Sequence, residues 1–322
     1  MKKVSIIMAT YNTQIEYLNC AINSILNQTY KNIELIIVCD GSKEEFNYIK
    51  TKYADKRIKL ILNDKNMGLP YSLNKGILES TGYYIARMDS DDISLPNRIE
   101  KQVEFLLKHK NISLCSTYAR LFGDDKGLKT VPFTDPEEVK IQLLFRAVLI
   151  HPTVMGERKI FEKYKYDEKY KCSQDFELWS RVSNEFNIQV IPFVGINYRV
   201  HNKQISKEKN KQQTINSKKI IKYNASKIMG KYDDRIFETL YILSGRKKLN
   251  KNNYLKVSNN IDYIIKINNF YNKKKLKKVL YNRFFELVIS EKIICKNISS
   301  LKKIIKLYNI FDLVKKLINQ FR

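Results

Sequence analysis

Tyr83-Tyr84-Ile85-Ala86-Arg87-Met88-Asp89-Ser90-Asp91-Asp92 decides how this chain is read: a half-apolar run of strand length ends in three carboxylates within four positions. Like charges this close repel and raise one another's pKa unless a cation offsets them, so a divalent ion is the economical explanation. Oxygen ligands alone favour a hard ion, Mg²⁺ or Mn²⁺. An Asp-rich turn in which Asp92 or Ser94 caps a helix begun at Pro96 accounts for the same residues. The acids by themselves leave both readings open.

The sequence on the N-terminal side repeats one unit. Val4 to Met8 is an apolar run of strand length, and Thr13-Gln14-Ile15-Glu16 is a capping box before a helix with Ile15, Leu18, Ile22 and Ile25 on one face. Ile33 to Val38 is a second buried strand, and Ser42 with Glu45 forms a second capping box. Ile58 to Leu62 is a third strand, and Pro70 starts a short helix. Four strands alternating with helices within about ninety residues predict an α/β fold with a mostly parallel central sheet and right-handed crossovers. Ligands of such sheets sit at the carboxyl ends of the strands. That rule selects Thr10-Tyr11-Asn12, Asp40 and Asp89 to Asp92, all expected on one rim. No Walker or GxGxxG spacing occurs. An aromatic ring and a carboxylate at neighbouring strand ends suit a base, with Tyr11 stacking and Asp40 accepting from a ring N–H; a half-buried structural tyrosine is the alternative for Tyr11.

Composition narrows the class. The 322 residues allow one large α/β domain and an appendage, and no apolar run approaches the roughly 18 residues of a spanning helix. Lys2-Lys3 followed by Val4 to Ala9 reads as a first strand, because the apolar stretch is short for a leader. Five scattered cysteines, Cys20, Cys39, Cys115, Cys172 and Cys295, fit free thiols in a reducing cytoplasm. The net charge of +26 is uneven: residues 207 to 322 hold 29 Lys and Arg against 8 Asp and Glu, and the remainder 30 against 25. A basic tail points to an anionic partner, nucleic acid or a membrane surface, unless it reflects the Lys, Asn and Ile richness of the whole chain.

Val4-Ser5-Ile6-Ile7-Met8-Ala9-Thr10-Tyr11-Asn12, Cys39-Asp40-Gly41-Ser42, Asn66-Met67-Gly68 with Asn74-Lys75-Gly76, Asp89-Ser90-Asp91-Asp92, and Gln174-Asp175-Phe176-Glu177-Leu178-Trp179-Ser180-Arg181 follow one another in this order. Together they resemble the ordered motifs of family 2 inverting glycosyltransferases of GT-A fold, over about residues 3 to 206. The resemblance implies that Thr10, Tyr11, Asn12 and Asp40 hold a uridine nucleotide, that Asp89 lies near ribose and metal, and that Asp91 binds Mn²⁺ or Mg²⁺. From its own position Asp175 reads first as an acid at a helix N-terminus; the resemblance makes it the general base. The resemblance also brings His151 and Trp179 toward the sugar and acceptor site. Tyr198-Arg199, His201 and Ser206 resemble the segment that closes the nucleotide site, which makes His201 the histidine suited to a metal or diphosphate contact. One departure is visible: the family commonly has two acids where this chain has Cys39-Asp40.

Other residues carry local roles. His109 reads as a surface residue at a helix end, and Arg181 as the partner of Glu177 four residues earlier. Lys207 to Lys211 reads as a linker, dividing residues 1 to 206 from a basic, mostly helical region over 213 to 322. A last amphipathic segment is expected over Leu301 to Phe321.

The chemistry implied by the resemblance is metal-dependent, inverting transfer of a hexose or N-acetylhexosamine from a UDP-sugar to a lipid-linked glycan acceptor, with a β-linkage, in capsule, O-antigen or exopolysaccharide synthesis. The expected location is cytoplasmic, peripheral on the inner face of the cell membrane. A sugar nucleotidyltransferase would share the acids but should carry a Gly-rich first loop, and Thr10 to Thr13 has no glycine. A nucleic-acid-binding protein would use the tail, yet no recognition motif accompanies the charge, and no nucleic acid is expected as a partner.

Overall fold

A computed structural model describes residues 1–201 and 210–291. The expected Leu301 to Phe321 segment, the Lys207 to Lys211 linker (save Asn210 and Lys211, which begin a helix), Ser206 and Cys295 lie outside the described residues. The chain divides into two compact units, Met1–Ile220 and Ile221–Arg322.

The first unit opens with β1 (Val4–Thr10), α1 (Ile15–Leu26), β2 (Ile33–Cys39), α2 (Lys43–Lys52), β3 (Ile58–Leu62), α3 (Leu69–Leu78) and β4 (Tyr84–Asp89). Then come β5 (Ile93–Ser94), α4 (Arg98–Lys108), β6 (Leu114–Gly123), β7 (Gly127–Lys129), α5 (Pro136–Gln142), a 3₁₀ turn (His151–Thr153), β8 (Met155–Glu157), α6 (Arg158–Lys163), α7 (Gln174–Val182) and β9 (Ile188–Val200). The strands form one sheet in the order β3-β2-β1-β4-β8-β6-β9-β5, with β7 on β6. The long ladders β2–β3, β1–β2, β1–β4 and β6–β9 are parallel, whereas the antiparallel pairings of β8, β5 and β7 involve two or three residues each. The sheet is mixed in count and mostly parallel in extent.

Burial on both faces explains why β1 and β2 read as unbroken apolar runs. Val4, Ile6 and Met8 pack with Leu18, Ile22 and Ile25 of α1 and with Ile99 and Val103 of α4 in one core cluster. Ile7 points the other way, toward α3, where a Cβ on Gly76 would lie 2.6 Å from its Cγ2. Glycine at 76 is what lets α3 pack this close.

Register then sets the rim. Thr10 pairs with Cys39, Ala9 with Asp89 and Cys39 with Leu62, so the turns after β1, β2, β3 and β4 emerge side by side.

The helix starts differ from the sequence reading in instructive ways. Thr13 does not cap α1; the N-cap is Gln14 without a side-chain hydrogen bond. Ser42 does cap α2, accepting from the amide of Glu45, but the Glu45 carboxylate leaves its own helix for the β1 turn. The helix expected from Pro96 begins at Arg98 with Asn97 as N-cap, and neither Asp92 nor Ser94 caps it.

In the second unit the described helices are the end of α8 (Asn210–Lys227, which spans the division), α9 (Asp234–Leu243), α10 (Tyr254–Ile267) and α11 (Lys273–Ser290). Ile236, Leu240, Ile261, Ile264, Leu276, Leu280 and Phe284 are buried there, and Asp233 and Asn272 cap α9 and α11. No helix among the described residues is long and apolar enough to cross a membrane.

Candidate active site

The rim begins with the turn after β1. Thr10 is buried, Tyr11 is 51% exposed, and Asn12 takes a left-handed φ of 54°. Thr10 Oγ1 lies 2.9 Å from both Glu45 Oε1 and Thr13 Oγ1, the Thr13 amide donates to Glu45 Oε1 at 2.6 Å, and Thr13 Oγ1 lies 2.8 Å from Ser90 Oγ. The turn is thereby fastened to α2 on one side and to the acid motif on the other.

Asp40, at the end of β2, is buried and accepts from Asn63 Nδ2 and from the amides of Met67 and Gly68, each at 2.8 Å. Asn63 in turn accepts from Lys75 Nζ at 2.9 Å. This network gives Met67, Gly68 and Lys75 of the two quoted motifs their place beside Asp40. A carboxylate has about four acceptor sites, of which three are used here, leaving about one for a ligand N–H. Gly41 is required at its place: its φ is +85°, and a Cβ would lie 2.5 Å from the Asn66 nitrogen.

At the end of β4, ligand oxygens of Asp89, Asp91 and Asp92 lie within 4.8 Å of one another. Asp89 pairs with the buried Arg87 guanidinium. Asp91 Oδ2 lies 2.9 Å from His201 Nε2, and its carbonyl accepts from Arg199 Nε at 2.8 Å. Asp92 accepts from the Arg199 amide at 2.8 Å, while its other oxygen is buried and without a partner among the described residues. The Arg199 guanidinium lies over the rings of Tyr17 and Phe122, 3.8 and 4.4 Å from their centroids. Burial, then the charge of Asp89, raises the pKa of Asp91 despite His201. Burial with Asp89 and Asp91 raises Asp92 further. Burial and mutual repulsion thus make charge in this cluster costly, and among the described residues one buried carboxylate oxygen has no donor; both observations fit a divalent cation held by Asp91 and Asp92 beside Asp89.

Behind the acids sit two buried arginines. Arg98 donates to the Arg87 carbonyl at 2.7 Å, and burial lowers its pKa to about 10. Burial also acts against the Arg87 charge, but Asp89 more than offsets it, and the pKa is raised.

The third part of the site comes from the far half of the sheet. His151 Nε2 lies 2.8 Å from the Tyr166 hydroxyl, and the Tyr166 backbone is clamped by Asn74 through two 2.9 Å bonds. Burial, and secondarily Arg87, lowers the His151 pKa well below its ordinary value, so the ring is neutral. Trp179 has no exposed surface and packs edge-on against His151, Phe161 and Tyr166. It backs this wall; zero exposure corrects the expectation of a Trp179 contact with sugar or acceptor. Asp175 stands in the first turn of α7, just after Ser173 with φ 61°. Burial raises its pKa, opposed by the amides of Phe176 and Asp175 itself, and by Lys129 and Arg87. The Arg87 charge therefore acts on the acid cluster, on His151 and on Asp175 at once.

Two sequence readings outside the site hold as written: His109 ends α4 with Nδ1 2.9 Å from the Phe105 carbonyl, and Arg181 pairs with Glu177 at 2.7 Å. Arg87, Tyr166 and Glu45 were missed by sequence reasoning. Arg87 had a signal, a charge at a central position of an apolar strand; Glu45 was absorbed by the capping-box pattern.

A parallel-strand half, an acid triad at a central strand end and a crossing strand that returns to it define a GT-A fold. Residues 5–165 match the profile of Glycosyl transferase family 2, and the chain belongs to that family. It is similar to an uncharacterised glycosyltransferase, MJ1057, of Methanocaldococcus jannaschii, 36% identical over 66% of this chain and 76% of that protein. It is also similar to the UDP-Glc:alpha-D-GlcNAc-diphosphoundecaprenol beta-1,3-glucosyltransferase WfgD of Escherichia coli, 30% identical over 65% and 81%. Among solved structures, S. aureus TarS 1-349 in complex with UDP-GlcNAc superposes with a TM-score of 0.60 at 15% identity, over 90% of this chain and 91% of that one. The protein is a glycosyltransferase.

Proposed function

We propose that this protein transfers a hexose or N-acetylhexosamine from a UDP-sugar, with inversion, to a hydroxyl of a lipid-linked glycan acceptor in surface-polysaccharide synthesis. The observation that carries the reading is the convergence on one rim of the Tyr11 turn, Asp40 and the Asp89-Asp91-Asp92 cluster, with Arg87 acting electrostatically on both the cluster and Asp175. The UDP-sugar named for WfgD and the diphosphoundecaprenol of its acceptor support the donor and acceptor classes.

In this reading the exposed Tyr11 ring stacks on uracil and Asp40 accepts from the ring N–H. Asp91 and Asp92 hold Mn²⁺ or Mg²⁺, with His201 beside Asp91 and Asp89 toward the ribose; the ion supplies charge neutralisation for the diphosphate. His151, neutral and oriented by Tyr166, lines the sugar pocket. Asp175 removes the acceptor hydroxyl proton as that oxygen bonds to the anomeric carbon and the bond to the diphosphate oxygen breaks on the opposite face. An α-linked donor then gives a β-linked product.

Cytoplasmic, peripheral attachment to the inner membrane face is part of the proposal. Residues 221 to 291 carry sixteen Lys and Arg against six Asp and Glu, and Phe270, Tyr223 and Leu255 are exposed. The test of the catalytic reading is a panel of UDP-sugars with and without Mn²⁺ or Mg²⁺, read by thermal stabilisation and UDP release. One donor should stabilise the protein and release UDP only with metal. Pyrophosphate release from UTP instead would make it a nucleotidyltransferase.

A further inference from the structure

Glu45 is a buried carboxylate that serves neither its own helix nor any basic side chain among the contacts given above. Its Oε1 takes the Thr13 amide and the Thr10 hydroxyl, and its Oε2 has no partner among the described residues. A carboxylate only accepts, so Thr10 gives its single proton to Glu45. The same hydroxyl is also aimed at Thr13 Oγ1, 2.9 Å away, and Thr13 Oγ1 lies 2.8 Å from Ser90 Oγ, where either hydroxyl can donate. The result is a hydrogen-bonded relay linking Ser90, Thr13, Thr10 and Glu45, running from between the metal-site acids to the N-terminal turn of α2. It crosses the turn in which Asn12 is held at a left-handed φ of 54°, a conformation that persists where its surroundings over-determine it.

We propose that Glu45 is a positioning residue: it sets the turn that presents Tyr11 to the nucleotide and couples that turn to the acid motif, so that nucleotide and metal sites are ordered together. The coupling to nucleotide rests on the UDP-sugar reading above; the relay itself does not.

Two measurements separate these. Hydrogen–deuterium exchange without ligand reads the relay directly: Glu45→Ala should speed exchange both at residues 10–14 and at 88–92, and Ser90→Ala should do the same at 10–14 from the other end. Glu45→Gln, which keeps an acceptor at the same place, should leave both segments protected. Calorimetry with UDP and Mn²⁺ reads the consequence: Glu45→Ala should weaken UDP by about 5- to 150-fold, the range for leaving a buried donor unsatisfied. Glu45→Gln should stay within about threefold, and the Glu45→Ala/Ser90→Ala double variant should be clearly less than additive. Unchanged exchange at 88–92 in Glu45→Ala, or in 10–14 for Ser90→Ala should the first variant not fold, overturns the relay. Wild-type affinity in folded Glu45→Ala, or strict additivity, overturns the coupling. A wild-type protein that binds no UDP defeats the donor assignment, and the exchange data still decide the relay.

Discussion

His201 Nε2 lies 2.9 Å from Asp91 Oδ2, so the end of β9 is fastened to an acid 110 residues earlier in the chain. Arg199 adds two bonds to the same motif, and the crossing strand becomes the outer wall of the acid cluster. We expect Asp91→Asn to remove most metal-dependent UDP binding and activity, and His201→Ala to weaken both less, because Asp92 and Asp89 remain. Calorimetry of UDP with and without Mn²⁺ checks this. Tight, still metal-dependent binding by Asp91→Asn would remove it as a ligand.

Asp175 should behave as a base and not as a helix-terminal charge. Asp175→Asn is expected to leave UDP-sugar affinity near wild type and to lower kcat by at least about a hundredfold, since a base acts in the transition state. The pH dependence follows from its environment. Its pKa is raised by burial above the ordinary Asp value of about 4, and the working form is deprotonated, so kcat/KM falls as pH drops through that raised value. Lys129 lowers it, and Lys129→Ala should therefore move the acid limb to higher pH. A limb that stays put in Lys129→Ala, with near-normal kcat in Asp175→Asn, would make the carboxylate structural.

What could be read from the chain alone has a physical boundary. Strands buried on both faces announce themselves as apolar runs, Asp40 follows one of them directly and Asp89 ends another broken only by Arg87, so the rim was legible from local pattern. Glu45 acts across 32 and 35 residues, Tyr166 across 92 to Asn74, and Arg87 through burial, and local pattern carries no such information: Glu45 satisfied a capping-box spacing while its carboxylate went to Thr10 and Thr13. Trp179 shows the converse. It sits within a motif, yet its ring faces the core, because α7 turns its apolar side, Phe176, Leu178, Trp179 and Val182, inward.

Gly41 joins fold to site and should resist substitution. Gly41→Ala places a methyl group against the Asn66 amide in a backbone conformation that costs about 1–3 kcal/mol for a non-glycine residue. Gly68→Ala meets a similar strain, φ +94°, with nothing nearer than 3.9 Å. Urea denaturation should therefore show Gly41→Ala destabilised by more than Gly68→Ala, the difference measuring the collision. Equal losses would mean that the loop beside Asp40 yields freely.

The basic helical unit is expected to bind an anionic membrane surface. Each Lys or Arg near an anionic surface contributes about 1 kcal/mol, falling off within a Debye length. Lys273, Lys274, Lys275, Lys277 and Lys278 lie together at the start of α11, and an exposed Phe270 precedes them by a few residues. Charge with an adjacent aromatic ring suits reversible, peripheral binding, and no described helix is able to span. In vesicle sedimentation, binding should rise with the fraction of anionic lipid, fall with salt, and weaken when these five lysines become Gln. If the lysines merely decorate a helical bundle, binding will show no preference for lipid charge. Equal partitioning onto neutral vesicles, or full binding by the five-Gln variant, would exclude this surface as the membrane contact.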